Sequence, residues 1–181
     1  MDYAISIGYR LSGEVFLTIK DTPTLVYKHH YKTINWLLDQ WAEKIANMLQ
    51  EENYRSLAIP ASQTVDWEKQ VGHFPHILAG RECGFGWIGR SGLLVNPKYG
   101  AKVRYATILT DLVLDEYIGT IVDEGCKSCS KCITACPAGA LTNAGYDKVK
   151  CLEQLKKFAS IHGIGVYICG ICVKVCDGVV E

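Results

Sequence analysis

The chain of 181 residues has no cysteine before Cys83, no surplus of either charge and no apolar run long enough to cross a bilayer. Each absence excludes something. Lys plus Arg and Asp plus Glu stand at 19 each, giving a formal net charge of zero. Phosphate binding usually leaves a basic surplus, so composition argues against nucleic acid as the main partner. Met1–Tyr9 has neither a basic n-region nor a long apolar h-region, so no secretory signal is expected and the cytoplasm is the expected location. Disulfide scaffolds are short and stapled throughout, whereas all nine cysteines here fall after residue 82. A reducing compartment with thiolates as metal ligands is the better reading. Repeats at solenoid spacing and low-complexity tracts are absent as well. What is present is an ordinary globular composition, 49% hydrophobic and 21% charged.

Tyr3–Gly8 and Val15–Ile19 read as two strands joined by a turn at Arg10–Glu14. From Ile34 the period becomes helical. Ile34, Leu37, Leu38, Trp41, Ile45, Met48 and Leu49 define an amphipathic helix ending near Asn53, with its two tryptophans expected in the core. Arg55–Pro60, Leu93–Asn96 and Val103–Asp111 read as further strands. Mixed strand and helix signals predict an α+β protein, with residues 1–120 forming one domain and 121–181 a second.

Residues 126–137 read CKSCSKCITACP, the C-x₂-C-x₂-C-x₃-C-P run of bacterial ferredoxins. Three thiolates at two-residue steps can wrap one cubane, and the fourth serves a second. Cys169, Cys172 and Cys176 form a C-x₂-C-x₃-C set, and Cys151 stands alone upstream. Eight cysteines suit two [4Fe–4S] clusters. One is assigned to Cys126, Cys129, Cys132 and Cys176, and the other to Cys136, Cys151, Cys169 and Cys172. Paired C-x₂-C motifs also hold zinc in Cys₄ sites, which is the competing reading. Two adjacent clusters point to an electron relay.

A bare ferredoxin needs only about a third of such a chain. The remainder contains a glycine-dense stretch from Ala79 to Gly100, with Gly80, Gly84, Gly86, Gly89 and Gly92 around Trp87. Such density permits a close backbone approach to a flat ligand, or tight packing against the cysteine-rich part. Gly84, Gly86 and Gly89 satisfy G-x-G-x-x-G, but no convincing strand precedes them, so a dinucleotide site is not inferred.

The segment GFGWIGRSGLLV resembles the GLGWIGK-N/S-LL segment of the epoxyqueuosine reductases, corrinoid-dependent tRNA-modifying enzymes related to reductive dehalogenases. The order of motifs is similar too: this segment, a strand pair, the cysteine run ending in Pro137 and Gly139–Leu141, a lone cysteine opening a helix, then the last three cysteines. Tyr27–Tyr31 resembles the Tyr/His-containing start of that family's amphipathic helix. The likeness covers about residues 3–178. It implies a reduced nitroreductase-like α/β domain able to hold cobalamin, followed by a double-cluster ferredoxin-like domain. It further implies a cofactor contact at Gly84, Gly86, Trp87, Gly89, Arg90 and Ser91, with Arg90 standing where the family has lysine.

Two departures temper the activity. The stretch Gln70–His76 holds no acid where the family carries its proton-donating carboxylate, and Asp66 and Glu68 do not align cleanly. The family's C-terminal helical-repeat extension is not found. His73 or His76 is then the expected proton donor, while His29 and His30 are further candidates for the pocket. Cys83 is the ninth cysteine, read as a small buried thiol or as a corrinoid ligand. The function expected is electron relay through two clusters to a corrinoid or similar acceptor. The alternative is a stand-alone carrier docking with a redox partner protein, and epoxyqueuosine reduction ranks below both. A homodimer is the expected assembly, as in many nitroreductase-like folds.

Overall fold

The computed structural model describes residues 1–66, 70–114 and 125–178. A three-stranded antiparallel sheet organises the first part, with β5 (Val103–Thr110) between β1 (Tyr3–Arg10) and β2 (Ser56–Ile59). The central strand is covered on both faces, and Ala106, Thr107, Ile108 and Thr110 are fully buried. Its two threonines, Thr107 and Thr110, are among the few polar side chains taken into the interior. Two short strands, β3 (Trp87–Ile88) and β4 (Leu94–Val95), form a separate hairpin from the glycine stretch.

Val15–Ile19 is not a strand. Gly13–Leu17 forms a short helix, α1, because Phe16 and Ile19 both enter the core (1% and 0% exposed) and only a helical turn puts residues three apart on one face. The long helix α2 runs from Leu25 to Glu51, two turns longer at its start than periodicity indicates. Thr24 caps it, its hydroxyl accepting from the Tyr27 amide at 3.1 Å. Asn53, at φ +67°, ends it in the left-handed conformation expected after a helix. Its buried stripe is Tyr27, Ile34, Leu38, Ala42 and Ala46. Trp36 and Trp41 are 63% and 52% exposed, contrary to expectation. Small Ala42 and Ala46 let the helix lie close to the sheet, which rotates both tryptophans outward.

Helix α3 (His76–Glu82) packs on the opposite face of the sheet from α2. The cysteine-rich part holds α4 (Lys131–Ala135), the hairpin β6–β7 (Leu141–Thr142, Gly145–Tyr146), α5 (Lys148–Ala159) and α6 (Ile171–Lys174). Asp147 caps α5 by accepting from the amides of Val149 and Lys150, both at 3.0 Å, so Cys151 sits in its first turn. Phe158, Ile164, Ile168 and Ile171 join Phe16, Tyr27 and Ile108 in one hydrophobic core, so both parts of the chain share it. The expected boundary near residue 120 lies outside the described residues.

Candidate iron–sulfur sites and an adjoining cavity

The eight cysteines divide by place. An outer cavity of about 370 Å³ is lined by Cys126, Cys129, Cys132 and Cys176. An inner cavity of about 240 Å³ is lined by Cys136, Cys151, Cys169 and Cys172. These are the two sets expected from the spacing. The thiols sense their own set most, although Cys132 of the outer set also raises Cys172 of the inner one. Cys132 is pushed up by burial and then by Cys126, Cys176 and Cys129. Burial pushes Cys169 up to about 11 and Cys172 up to about 12, with Cys151 and Cys136 adding to each. Loading such a site with metal must therefore release protons.

Paired C-x₂-C thiols also suit a tetrahedral zinc site. Four thiols placed around each cavity suit a bulky iron–sulfur core, and the Asp177 carboxylate that also lines the outer one is held by Lys102 and Lys131. The amide of Arg90 also points at the Cys126 sulfur, at 3.5 Å. Amide hydrogen bonds of this kind stabilise charge on cluster sulfurs.

The glycine segment belongs to this site. Trp87, Arg90 and Ser91 line the outer cavity, and buried Ser91 lines the inner one as well. A Cβ on Gly89 would stand 3.4 Å from the Cys126 sulfur, and one on Gly92 would press on the Tyr146 ring at 2.8 Å. Gly86 admits no side chain because the Val95 carbonyl would lie 1.9 Å away. Gly84, at φ +75°, turns the chain out of α3, while Cys83 closes that helix and joins neither thiol set. Arg90 reaches the Asn143 side chain at 3.0 Å and the Lys127 carbonyl at 2.8 Å. Of the two sequence readings of these glycines, geometry favours packing against the cysteine-rich part.

The histidines stand elsewhere. His73 is exposed and lines none of the cavities described. His29 is exposed, and His30 accepts from the Ser12 amide at 3.2 Å. His76 is engaged at both ring nitrogens: Nε2–H donates to the Pro60 carbonyl at 2.9 Å, leaving Nδ1 to accept from the Thr107 hydroxyl at 2.8 Å. Burial holds the His76 pKa below the ordinary 6.5, and nearby Arg104 acts in the same direction. The unfolded chain therefore takes up a proton near pH 6.5 that the folded chain refuses. The stabilisation is complete above that pH and is lost as pH falls through the lower folded value. Denaturant unfolding should show stability declining from pH 7 to 5.5. His76→Gln should flatten that decline, and an unchanged slope would remove His76 as its cause.

Sequence reasoning missed a third space. A cavity of about 1040 Å³ adjoins the inner thiol set, and Tyr31, Leu155 and Tyr167 wall both. Its other lining includes Asn35, Ser62 and Gln70. The Tyr31 hydroxyl meets that of Ser62 at 2.6 Å, and the Arg104 guanidinium lies over the Tyr31 ring, 4.6 Å from its centroid. The side-chain oxygen of Asn35 is buried there without a hydrogen-bond partner. No carboxylate appears in the described lining, and Lys156 is its one charged side chain. The one sequence signal for this space was Tyr31, near the start of α2.

No family model matches the chain. Curated epoxyqueuosine reductases do. That of Lactococcus garvieae is 27% identical over 152 residues, covering 77% of this chain and 38% of that protein. That of Salmonella typhimurium is 24% identical over 190 residues, covering 96% and 46%. This chain is a relative of the epoxyqueuosine reductases. It spans less than half the length of these curated proteins. Among solved structures, the epoxyqueuosine reductase of Streptococcus thermophilus shares the fold at a TM-score of 0.58 and 21% identity, over 98% of this chain and 51% of that one. A catabolic reductive dehalogenase superposes at 0.76 and 20% identity, over 98% and 26%. In this epoxyqueuosine reductase relative, the mixed α/β fold is thus shared with both groups.

Proposed function

We propose that this protein is an iron–sulfur redox protein that relays single electrons from an outer to an inner [4Fe–4S] cluster and on to a corrinoid or similar cofactor. In this reading the sheet with α2 and α3 is a reduced nitroreductase-like layer, and the cysteine-rich part is a double-cluster ferredoxin-like unit. The observation that carries the proposal is the shared wall: the inner thiol cavity and the 1040 Å³ cavity have Tyr31, Leu155 and Tyr167 in common. An acceptor there would lie one side chain away from the inner cluster. The acceptor site moves accordingly from Gly84–Gly92, which packs against the thiol sets, to this cavity.

The lining suits a corrinoid. The unpartnered Asn35 oxygen asks for an N–H donor, and the rim of a corrin carries carboxamides. When bound, such a group supplies a cobalt centre able to carry reductive chemistry. Tyr31 would present an aromatic wall held by Ser62 and Arg104, and Tyr31, Tyr167 and Lys156 supply the ionisable protons. One reductive dehalogenase of this fold is the subject of a mechanism for B12-dependent dehalogenation.

Anaerobic protein titrated with cobalamin is expected to bind it with a spectral change. Asn35→Leu should weaken binding about tenfold, the worth of one hydrogen bond. No binding would leave the stand-alone carrier, which the exposed Trp36, Trp41 and Met48 on α2 favour as a docking face for a redox partner or a second copy. One epoxyqueuosine reductase has been solved with a modified tRNA stem loop, which weakens the argument from neutral charge. The same stem loop belongs in the titration, and with no acid in Gln70–His76 it is expected to give no turnover.

A further inference from the structure

Trp87 is almost wholly enclosed, at 6% exposed, yet its indole nitrogen is buried without a hydrogen-bond partner. An indole N–H can only donate, and nearly all buried donors in folded proteins find an acceptor. The β3–β4 pairing of Trp87 with Val95 fixes where the ring stands. Of the cavities described, it lines only the outer one, beside Cys126, Cys129, Cys132 and Cys176. A second contact orients it. Cδ1, the ring atom bonded to Nε1, lies 4.0 Å from a Cβ built on Gly125, the residue before Cys126. The pyrrole edge thus faces the start of the cysteine run. Arg90 on the same wall repeats the pattern, with its amide aimed at the Cys126 sulfur and its Nε buried and unpartnered. The carboxylate lining this cavity, Asp177, is already engaged by Lys102 and Lys131.

We infer that the Trp87 indole donates its N–H to a sulfur of the outer cluster. The inference rests on the cluster assignment proposed above. Thiols alone leave this donor orphaned, whereas an iron–sulfur core brings sulfide acceptors into the space that the ring borders. A donor on a cluster sulfur favours the reduced, more negative state, so it raises the reduction potential. The effect belongs to one cluster, because Trp87 lines one thiol cavity and not the other. The glycine segment then has a purpose in this arrangement. Gly86 and Gly89 let the hairpin pack closely enough to bring the indole to the outer set.

The test is pulsed electron paramagnetic resonance on reduced, anaerobic protein whose tryptophans are isotopically labelled at the indole nitrogen. One cluster signal should carry a coupling to that nitrogen, and Trp87→Phe, which keeps a ring and removes the donor, should abolish it. In a redox titration Trp87→Phe should move one potential to a more negative value and leave the other in place, with full iron. Val95→Ala loosens the same wall without removing a donor and should keep the coupling. If Trp87→Phe does not fold, the combination of Trp36→Phe, Trp41→Phe and Trp67→Phe leaves the label at Trp87 alone and reads the same coupling. No coupling in protein with full iron would give the indole a water for a partner and overturn the inference. Iron well below about eight per chain in unmutated protein would instead count against the cluster assignment itself.

Discussion

Cys172→Ala is expected to lower the iron of anaerobically purified protein from about eight to about four per chain, with acid-labile sulfide falling in step. Cys172 is the natural choice because burial pushes it up to about 12, and all three other members of its set, Cys169, Cys151 and Cys136, raise it further, as does Cys132 across the boundary between the sets. A cubane held by the remaining three thiolates has one iron open and little protein to close the gap. The outer set shares no ligand with the inner one, so its cluster should survive with an unchanged spectrum. Loss of both clusters would mean that the sets are not independent. Two zinc ions per chain in the parent, with little iron, would sink the assignment altogether.

That experiment addresses what was most legible in the sequence. Cysteine spacing is a local property, and local geometry suffices to put three thiolates of one run around one space. The crossing of Cys136 and Cys176 into opposite sets follows from the short helices α4 and α6, since Cys136 caps the first and Cys176 follows the cap of the second. The long-range features were harder to read. Trp36 and Trp41 look like core residues by period, yet Ala42 and Ala46 set the true contact face because they permit a closer approach to the sheet. Phe16 and Ile19 sit in a β-like run, but their shared burial makes it a helix.

The histidines and glycines illustrate a further gap. A histidine near a missing acid invites a catalytic reading, but sequence cannot show that both nitrogens of His76 are taken by Pro60 and Thr107. Dense glycines signal a close approach without naming what approaches. Here the partners are Val95, Cys126, Tyr146 and Cys176, all distant in sequence or across a hairpin. The large cavity had no signal beyond Tyr31, being assembled from residues of α2, α5 and the loops around them.

Gly100 provides the strictest test of that long-range packing. It closes the turn after β4, with reciprocal backbone bonds between Asn96 and Gly100 at 2.8 and 2.9 Å. Its φ of 62° is left-handed, and a Cβ there would meet the Cys176 carbonyl oxygen at 2.0 Å and the Gly178 amide nitrogen at 2.9 Å. Lys102 fastens the same segment, reaching the Cys176 carbonyl at 3.2 Å and Asp177 at 2.8 Å. Backbone meets backbone here, so no side chain can swing aside. Gly100→Ala should therefore displace Cys176 and cost about 3 kcal/mol or more, above the 1–2 kcal/mol of a left-handed alanine alone. Iron should fall to about four per chain through loss of the outer cluster, the converse of Cys172→Ala. Gly139 is the control, since its φ of 56° is equally left-handed but nothing lies within 4 Å of its Cβ position. Gly139→Ala should show the backbone strain with full iron; equal losses in both variants would reduce the Gly100 effect to strain and remove the claim that this turn holds the outer site.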